Sequence, residues 1–304
     1  MANFLILGAC LLAGILLQQT RRVPDNAPAA INAVILHVSL PALTLVHLHD
    51  FDFDSAHLGP VLMPWLLFAI GAGVFWVVGR WMRWPAPTTG ALMLVGGFGN
   101  TSFIGLPMIE SLHGREGMAL GLLIDQLGSY LALSTVGLLV ATSYSAQGRL
   151  APAAMLRRVL TFPPFLALVL ALALMPIAFP PELKAALARM GDTLAPLALI
   201  SVGLQLRFEA VREYLRPLCV GLAYKLVACP AMVVLLLLVM DAGPDMPRHV
   251  SVIEASMPPM IGAGIVAAQA NLAPRLVSMM IGVGIPIGLL TASGWHWFYG
   301  LAAG

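Results

Sequence analysis

The chain has 304 residues, of which 60% are hydrophobic and only 10% charged, where soluble domains carry roughly 25% charge. A soluble fold cannot hide that much apolar surface, so the expected solvent is a bilayer. The 16 basic and 14 acidic residues leave a net charge of +2, which gives no basis for nucleic-acid binding, and only the placement of charge is informative.

Apolar runs bounded by charge, proline or turn clusters predict spans at 2–19, 29–48, 59–82, 88–112, 116–144, 158–179, 188–207, 213–240, 247–271 and 274–300. Each is near the roughly 20 residues that cross a hydrocarbon core. Such runs are too long and too apolar for barrel strands, and backbone in lipid must bond internally, so the expected class is all-α. The first run has no Lys or Arg before it and Arg21-Arg22 after it, which reads as a retained span rather than a cleaved leader. Cys10, Cys219 and Cys229 sit singly in apolar runs with no metal or disulfide spacing.

Basic residues alternate by connection. Arg21, Arg22, Arg80, Arg83, Arg149, Arg157, Arg158, Arg207, Arg212, Arg216 and Arg275 fall in or beside one set of loops, and only Arg115, Lys184, Arg189 and Arg248 in the other. The positive-inside rule then places both termini outside, on the periplasmic side of a cell (inner) membrane, and favours an even span count. The polar stretch from Ser145 to Arg158 divides a first five-helix repeat, 1–145, from a second, 158–304, through a cytoplasmic linker at 146–157. Pro41 in span two matches Pro196 in span seven at an offset of 155, and Ile104-Gly105 in span four matches Ile261-Gly262 in span nine at an offset of 157. With five spans per half, the second copy enters the membrane inverted, a plan common in secondary transporters.

Spans four and nine carry the candidate site. Span four packs Gly96, Gly97, Gly99, Asn100, Thr101, Ser102, Gly105 and Pro107 into mid-membrane, and span nine has Glu254, Ser256, Pro258, Pro259, Gly262 and Gly264 at the corresponding depth. Proline removes a donor and glycine permits open backbone, so both segments are expected to unwind. Unwound backbone survives at that depth only inside protein or against a water-filled cavity. Where helices restart, near Phe103 to Leu106 and Ile261 to Gly264, free N–H groups suit an anion such as a carboxylate. Glycine and proline also give plain kinks in membrane helices, but their recurrence at matched positions favours a site.

The segments Gly-Asn100-Thr-Ser-Phe-Ile-Gly-Leu-Pro107, Leu-Ala-Pro196-Leu-Ala-Leu-Ile-Ser-Val-Gly203-Leu-Gln-Leu206 and Ala-Ser-Met-Pro258-Pro resemble the auxin efflux carrier family over essentially the whole chain. The resemblance implies a ten-helix fold similar to sodium/bile-acid symporters, with spans four and nine crossing at their breaks, a scaffold part and a moving transport part. It implies a small organic anion as substrate, malate or malonate in bacterial members and auxin in plant ones, and a homodimer through the scaffold helices. Asn100, Thr101, Ser102 and Pro107 carry over to one half of the crossover and Pro258 with Pro259 to the other. Related carriers often have one proline there, and the second is a departure.

Other intramembrane polar residues extend this list. Asp125, with Gln126, Ser129 and Tyr130 beside it in span five, costs about 2.5–3.5 kcal/mol to insert if charged, so it is expected to face protein or water as a proton carrier, a sodium ligand or a structural acceptor. Glu254, one turn before Pro258, is the second candidate for coupling to H+ or Na+. Lys225 reads as a structural pairing residue, and Gln205 and Ser39 as cavity-lining or packing groups. The stretch from His47 to His57 has imidazoles and carboxylates at metal-like spacing, yet a solvated outer loop is the simpler reading. The chain has no metalloprotease, nucleophile-elbow or phosphate-loop motif, so no cofactor and no enzyme activity are expected. The function expected is secondary transport by alternating access; the alternatives are a channel-like anion pathway or an intramembrane enzyme.

Overall fold

The structure, a computed structural model, describes residues 2–52, 54–145, 152–206, 212–240 and 245–303. Arg149, Arg207, Asp241 and the first half of the 146–157 linker lie outside the described residues. The fold is all-α, and six helices among the described residues are long and apolar enough to cross a membrane.

In chain order the helices are α1 (Ala2–Gln19), α2 (Ala27–Leu48), α3 (Ser55–Trp81), α4 (Ala86–Val95), α5 (Leu106–His113), α6 (Met118–Tyr144), α7 (Pro152–Leu160), α8 (Pro163–Leu174), α9 (Pro181–Gln205), α10 (Arg212–Val239), α11 (Met246–Ala255), α12 (Ile261–Gln269) and α13 (Pro274–Ala303). Expected spans four, six and nine are not single long helices. The sixth is cut at its start, because Pro163 and Pro164 open α8 from an extended Phe162 and leave residues 158–160 in α7.

Several helices widen from α to π geometry. Three of these stretches, Ile35–Ser39, Thr101–Gly105 and Tyr224–Ala228, each end two residues before a proline, namely Pro41, Pro107 and Pro230. A proline ring clashes with the carbonyl four residues back and offers no N–H, and a wider turn relieves both problems without ending the helix. Two more π stretches, Ile124–Tyr130 and Leu133–Gly137, lie in α6 with no proline behind them.

The chain forms two compact units that do not coincide with its two halves. Unit 1 is 1–54, 102–122 and 156–206; unit 2 is 55–101, 123–155 and 207–304. In unit 1, α1 packs on the second half of α9 so closely that a Cβ on Gly14 would lie 2.3 Å from the Ile200 carbonyl oxygen, and one on Gly203 2.4 Å from that of Leu11. Small residues of this kind let backbones meet where no hydrophobic effect drives helices together. Polar side chains of unit 1 pair locally: Ser39 with Thr193 at 2.7 Å, and Ser201 with Asn32 at 2.5 Å.

Within the His47–His57 stretch, Asp50, Asp52, Asp54, Ser55 and Ala56 are exposed, as expected of a solvated loop, and His49 departs from that reading. His49 is buried, stacked on Phe179 with ring centroids 3.8 Å apart. Its Nε2 donates to the carbonyls of Leu174 (3.0 Å) and Ile177 (2.8 Å), while Nδ1 meets Asp50 at 2.6 Å. Lys184 also donates to Asp50, and it is chiefly this bond, then that of His49, which holds the Asp50 carboxyl below the usual carboxylate range. A histidine committed in this way ties the end of α2 to the chain beyond α8.

In unit 2, α3, α4, the latter part of α6, and α10 to α13 pack together. Widened turns shift carbonyls off the regular ladder, and neighbouring side chains reach them: the indole of Trp65 donates to Leu127 (3.0 Å) and that of Trp295 to Leu226 (2.9 Å), both inside π stretches. This meets the requirement that backbone polar groups in lipid find partners.

Candidate functional site

The core of unit 2 contains two non-helical segments. After α4 ends at Val95 the backbone runs irregularly through Gly96–Asn100, and after α11 ends at Ala255 it does so to Met260, where α12 starts. The two segments lie antiparallel across each other. Asn100 N–H donates to the Pro258 carbonyl (2.8 Å) and Met260 N–H to that of Phe98 (3.1 Å), making an isolated bridge between Gly99 and Pro259. Neither proline donates, and neither needs to: Pro258 uses its carbonyl and Pro259 sits at the position whose N–H is not called on. The second proline is therefore compatible with the crossing.

The proline pair is seated against α13. A Cβ on Gly284 would come within 2.8 Å of the Pro259 ring, and one on Gly288 within 2.5 Å of the Pro258 Cβ. These glycines, one turn apart, let the irregular backbone approach a helix.

Buried acids and a lysine surround the crossing. Thr101 donates its hydroxyl to Asp125 at 2.5 Å, and both are buried. Lys225, from the π stretch of α10, is 2% exposed and donates to the Ala255 carbonyl at 3.1 Å. Its Nζ lies 3.1 Å from where a Cβ on Gly99 would be, so the ammonium rests on the crossover backbone. Glu254 is 1% exposed, and neither carboxylate oxygen has a hydrogen-bond partner among the described residues. The groups within its electrostatic reach are Asp125 and Lys225. Thr101, Ser129, Lys225 and Glu254 line one small cavity with Gly99, of about 10 Å3. That is room for about one water molecule, or for an ion stripped of its hydration shell, and not for an organic anion.

The sequence-predicted residues divide between the units. Asn100, Thr101, Asp125, Gln126, Glu254, Pro258, Pro259 and Gly262 belong to unit 2, where Asn100, Thr101, Asp125, Pro258 and Glu254 gather at the crossing. Gln126 is buried in the π stretch of α6, and Gly262 is the second residue of α12. Ser102, Pro107 and Gln205 belong to unit 1, where Gln205 donates to the Ser201 carbonyl (3.0 Å) and hydroxyl (3.1 Å). Lys225 holds a more central position than a generic pairing residue; the available signal was a lone lysine five residues before Pro230 in an apolar run. Ser129 also joins the cavity, one helical turn from Asp125.

Comparison with known proteins identifies the family. A family model described as membrane transport protein matches residues 1–296. An uncharacterized transporter of Methanothermobacter thermautotrophicus is 25% identical over 288 residues, 93% of each chain. An uncharacterized transporter of Methanocaldococcus jannaschii is 22% identical over 276 residues, 88% of each chain. With its apolar helices and a family match over nearly its full length, the chain is a multi-pass membrane protein that belongs to the membrane transport protein family, that of the auxin efflux carriers.

Proposed function

We propose that the protein is a secondary transporter of a small organic anion, a carboxylate such as malate, malonate or an auxin-like acid, working by alternating access. The observation that carries this reading is the pairing of two irregular buried segments beside Glu254, a carboxylate without a hydrogen-bond partner among the described residues. An unpaired buried acid is expensive in a membrane and is retained where it has work to do. Crossed, interrupted segments near mid-membrane put helix ends and free backbone groups at one place, the arrangement secondary transporters use for substrate and coupling ion.

In this reading α4 with residues 101–113, and α11 with α12, are spans four and nine of a ten-span inverted repeat. The make-up of the units supports it in part: the opening segment of each half, 1–54 and 156–206, belongs to unit 1 and most of the remainder to unit 2, with 102–122 of the first half returning to unit 1. Unit 1 is the scaffold, the face for a homodimer, and unit 2 the transport part. The N–H groups at the start of α12, with Asn100, hold the carboxylate; Thr101, Asp125 and Glu254 serve the coupling ion, H+ or Na+, and Lys225 is their counter-charge. The cavity of about 10 Å3, which lies within unit 2, describes a closed state. Both termini lie on the periplasmic side of the cell membrane, no cofactor takes part, and the family is one of transporters and not of enzymes.

The test is uptake of labelled malonate, malate and indole-3-acetate into proteoliposomes under imposed proton or sodium gradients. Saturable uptake that is lost in Asn100→Ala is expected, with Asp125→Asn losing gradient dependence. Unsaturable flux insensitive to either gradient would instead identify a channel.

A further inference from the structure

The geometry points to a binding site for one anionic phospholipid on the outer surface of unit 2, in a groove formed by α3, α4 and the end of α6. Its upper part is a recess of about 380 Å3 where α3 ends and α4 begins, lined by Trp76, Arg80, Arg83, Trp84, Thr89 and Tyr144. Its lower part is an apolar recess of about 400 Å3 that shares Trp76 and Tyr144 and continues along Gly73, Met93 and Leu139. On all three helices the second set of residues lies one to two turns deeper than the first: 73 below 80, 93 below 89, and 139 below 144. The two recesses are thus one groove running from the helix ends into the apolar layer.

Each part matches a part of a phospholipid. Arg80 and Arg83 are exposed and have no ion-pair partner among the described residues, so two guanidinium groups await an anion. Arg80 lies 5.4 Å from the Trp76 ring centroid, a cation–π contact that holds it at the mouth of the recess. Trp76, Trp84 and Tyr144 line the recess, and such side chains favour the headgroup layer. Arg83 has φ 54°, at the left-handed position that closes α3, where Trp84 N–H reaches back to the Gly79 carbonyl (2.8 Å). Glycine is the usual residue there, and a non-glycine in that conformation is strained. Below, a Cβ on Gly73 would meet nothing within 4 Å, so the groove floor is open to a chain the width of a hydrocarbon tail. The occupant is a lipid phosphate on the two arginines with its acyl chain over Gly73.

The test is purification in mild detergent from an equimolar mixture of dioleoyl phosphatidylglycerol and dioleoyl phosphatidylcholine, with retained lipid counted by native mass spectrometry. Preferential retention of phosphatidylglycerol is expected. It should fall about tenfold or more in Arg80→Gln/Arg83→Gly, the order expected when two basic side chains leave an anionic lipid. Arg83→Gly relieves the left-handed backbone, so unfolding is not an alternative explanation, and an unchanged elution profile checks this. Gly73→Leu fills the groove without touching the arginines and should also lower retention. Equal retention of both lipids, no change in either variant, or displacement by glycerol phosphate as effective as by the lipid would each overturn the proposal.

Discussion

Most of the polar side chains traced in unit 1 pair with one another, although the buried Ser111 hydroxyl has no hydrogen-bond partner among the described residues, and the crossing in unit 2 is arranged differently. In unit 1 the hydroxyls and amides close on each other: Ser39 with Thr193, Asn32 with Ser201, and Gln205 with Ser201, while His49 spends both ring nitrogens on a clamp. In unit 2, Glu254 and Lys225 line a space of about 10 Å3 with Thr101, whose hydroxyl is bound to Asp125, and Glu254 has no hydrogen-bond partner among the described residues. Satisfied polar groups in a membrane protein fasten helices, whereas groups held without partners at the same depth are poised to receive one. In the function proposed above, that difference separates a scaffold from a transport part.

The comparison breaks first at Glu254. Glu254→Gln keeps shape and removes charge, and uptake in proteoliposomes should fall about a hundredfold, the equivalent of roughly 2.7 kcal/mol. The melting temperature should hold or rise, because a buried carboxylate without a partner is replaced by an uncharged amide. A variant that transports normally would make Glu254 a structural relic and remove the carrying observation. Next in size is Gly288→Leu, which drives a side chain into Pro258. Overpacking of this kind costs about 1–3 kcal/mol, so thermal unfolding should move down and transport should be lost with it. Gly262→Ala is the control, since its Cβ meets Met260 and Leu133 at the ordinary distances of 3.5 and 3.6 Å and stability should be kept.

How legible these features were depends on whether a local rule governed them. The unwinding at Gly96–Asn100 and at Pro258–Pro259 followed from residue chemistry, because glycine and proline act on their own backbone wherever they stand. The six long helices were legible from run length alone, but the sixth span began later than hydropathy suggested, since Pro163-Pro164 restarts a helix that apolar character by itself would have continued. That Lys225 rests on Gly99 was hidden, because a contact 126 residues apart in the chain leaves no pattern in either neighbourhood. The division into units was hidden for the same reason: packing between distant segments is not written along the chain. His49 looked like one member of a polar loop, and only the carbonyls of Leu174 and Ile177, from the end of α8 and just beyond it, make it a buried clamp.

Unit 1 gives the two smaller tests. Gln205→Leu removes both bonds to Ser201 and should cost about 1 kcal/mol, with uptake close to wild type; a loss of transport as deep as that of Glu254→Gln would extend the substrate path into unit 1 and erase the contrast between units. The smallest effect is on acid stability. The folded state holds Asp50 below its unfolded value near 3.8 through Lys184 and His49. The stabilisation this gives is therefore present at neutral pH and disappears as pH falls through the folded value. Thermal melts between pH 6 and 3 should show Asp50→Asn starting slightly lower than wild type and converging with it at the acid end. The difference should be small, because the Asp50 side chain is 57% exposed and solvent screens its partners. Parallel curves across the whole range would mean that the clamp rests on the bonds from His49 to the two carbonyls and owes nothing to the charge beside it.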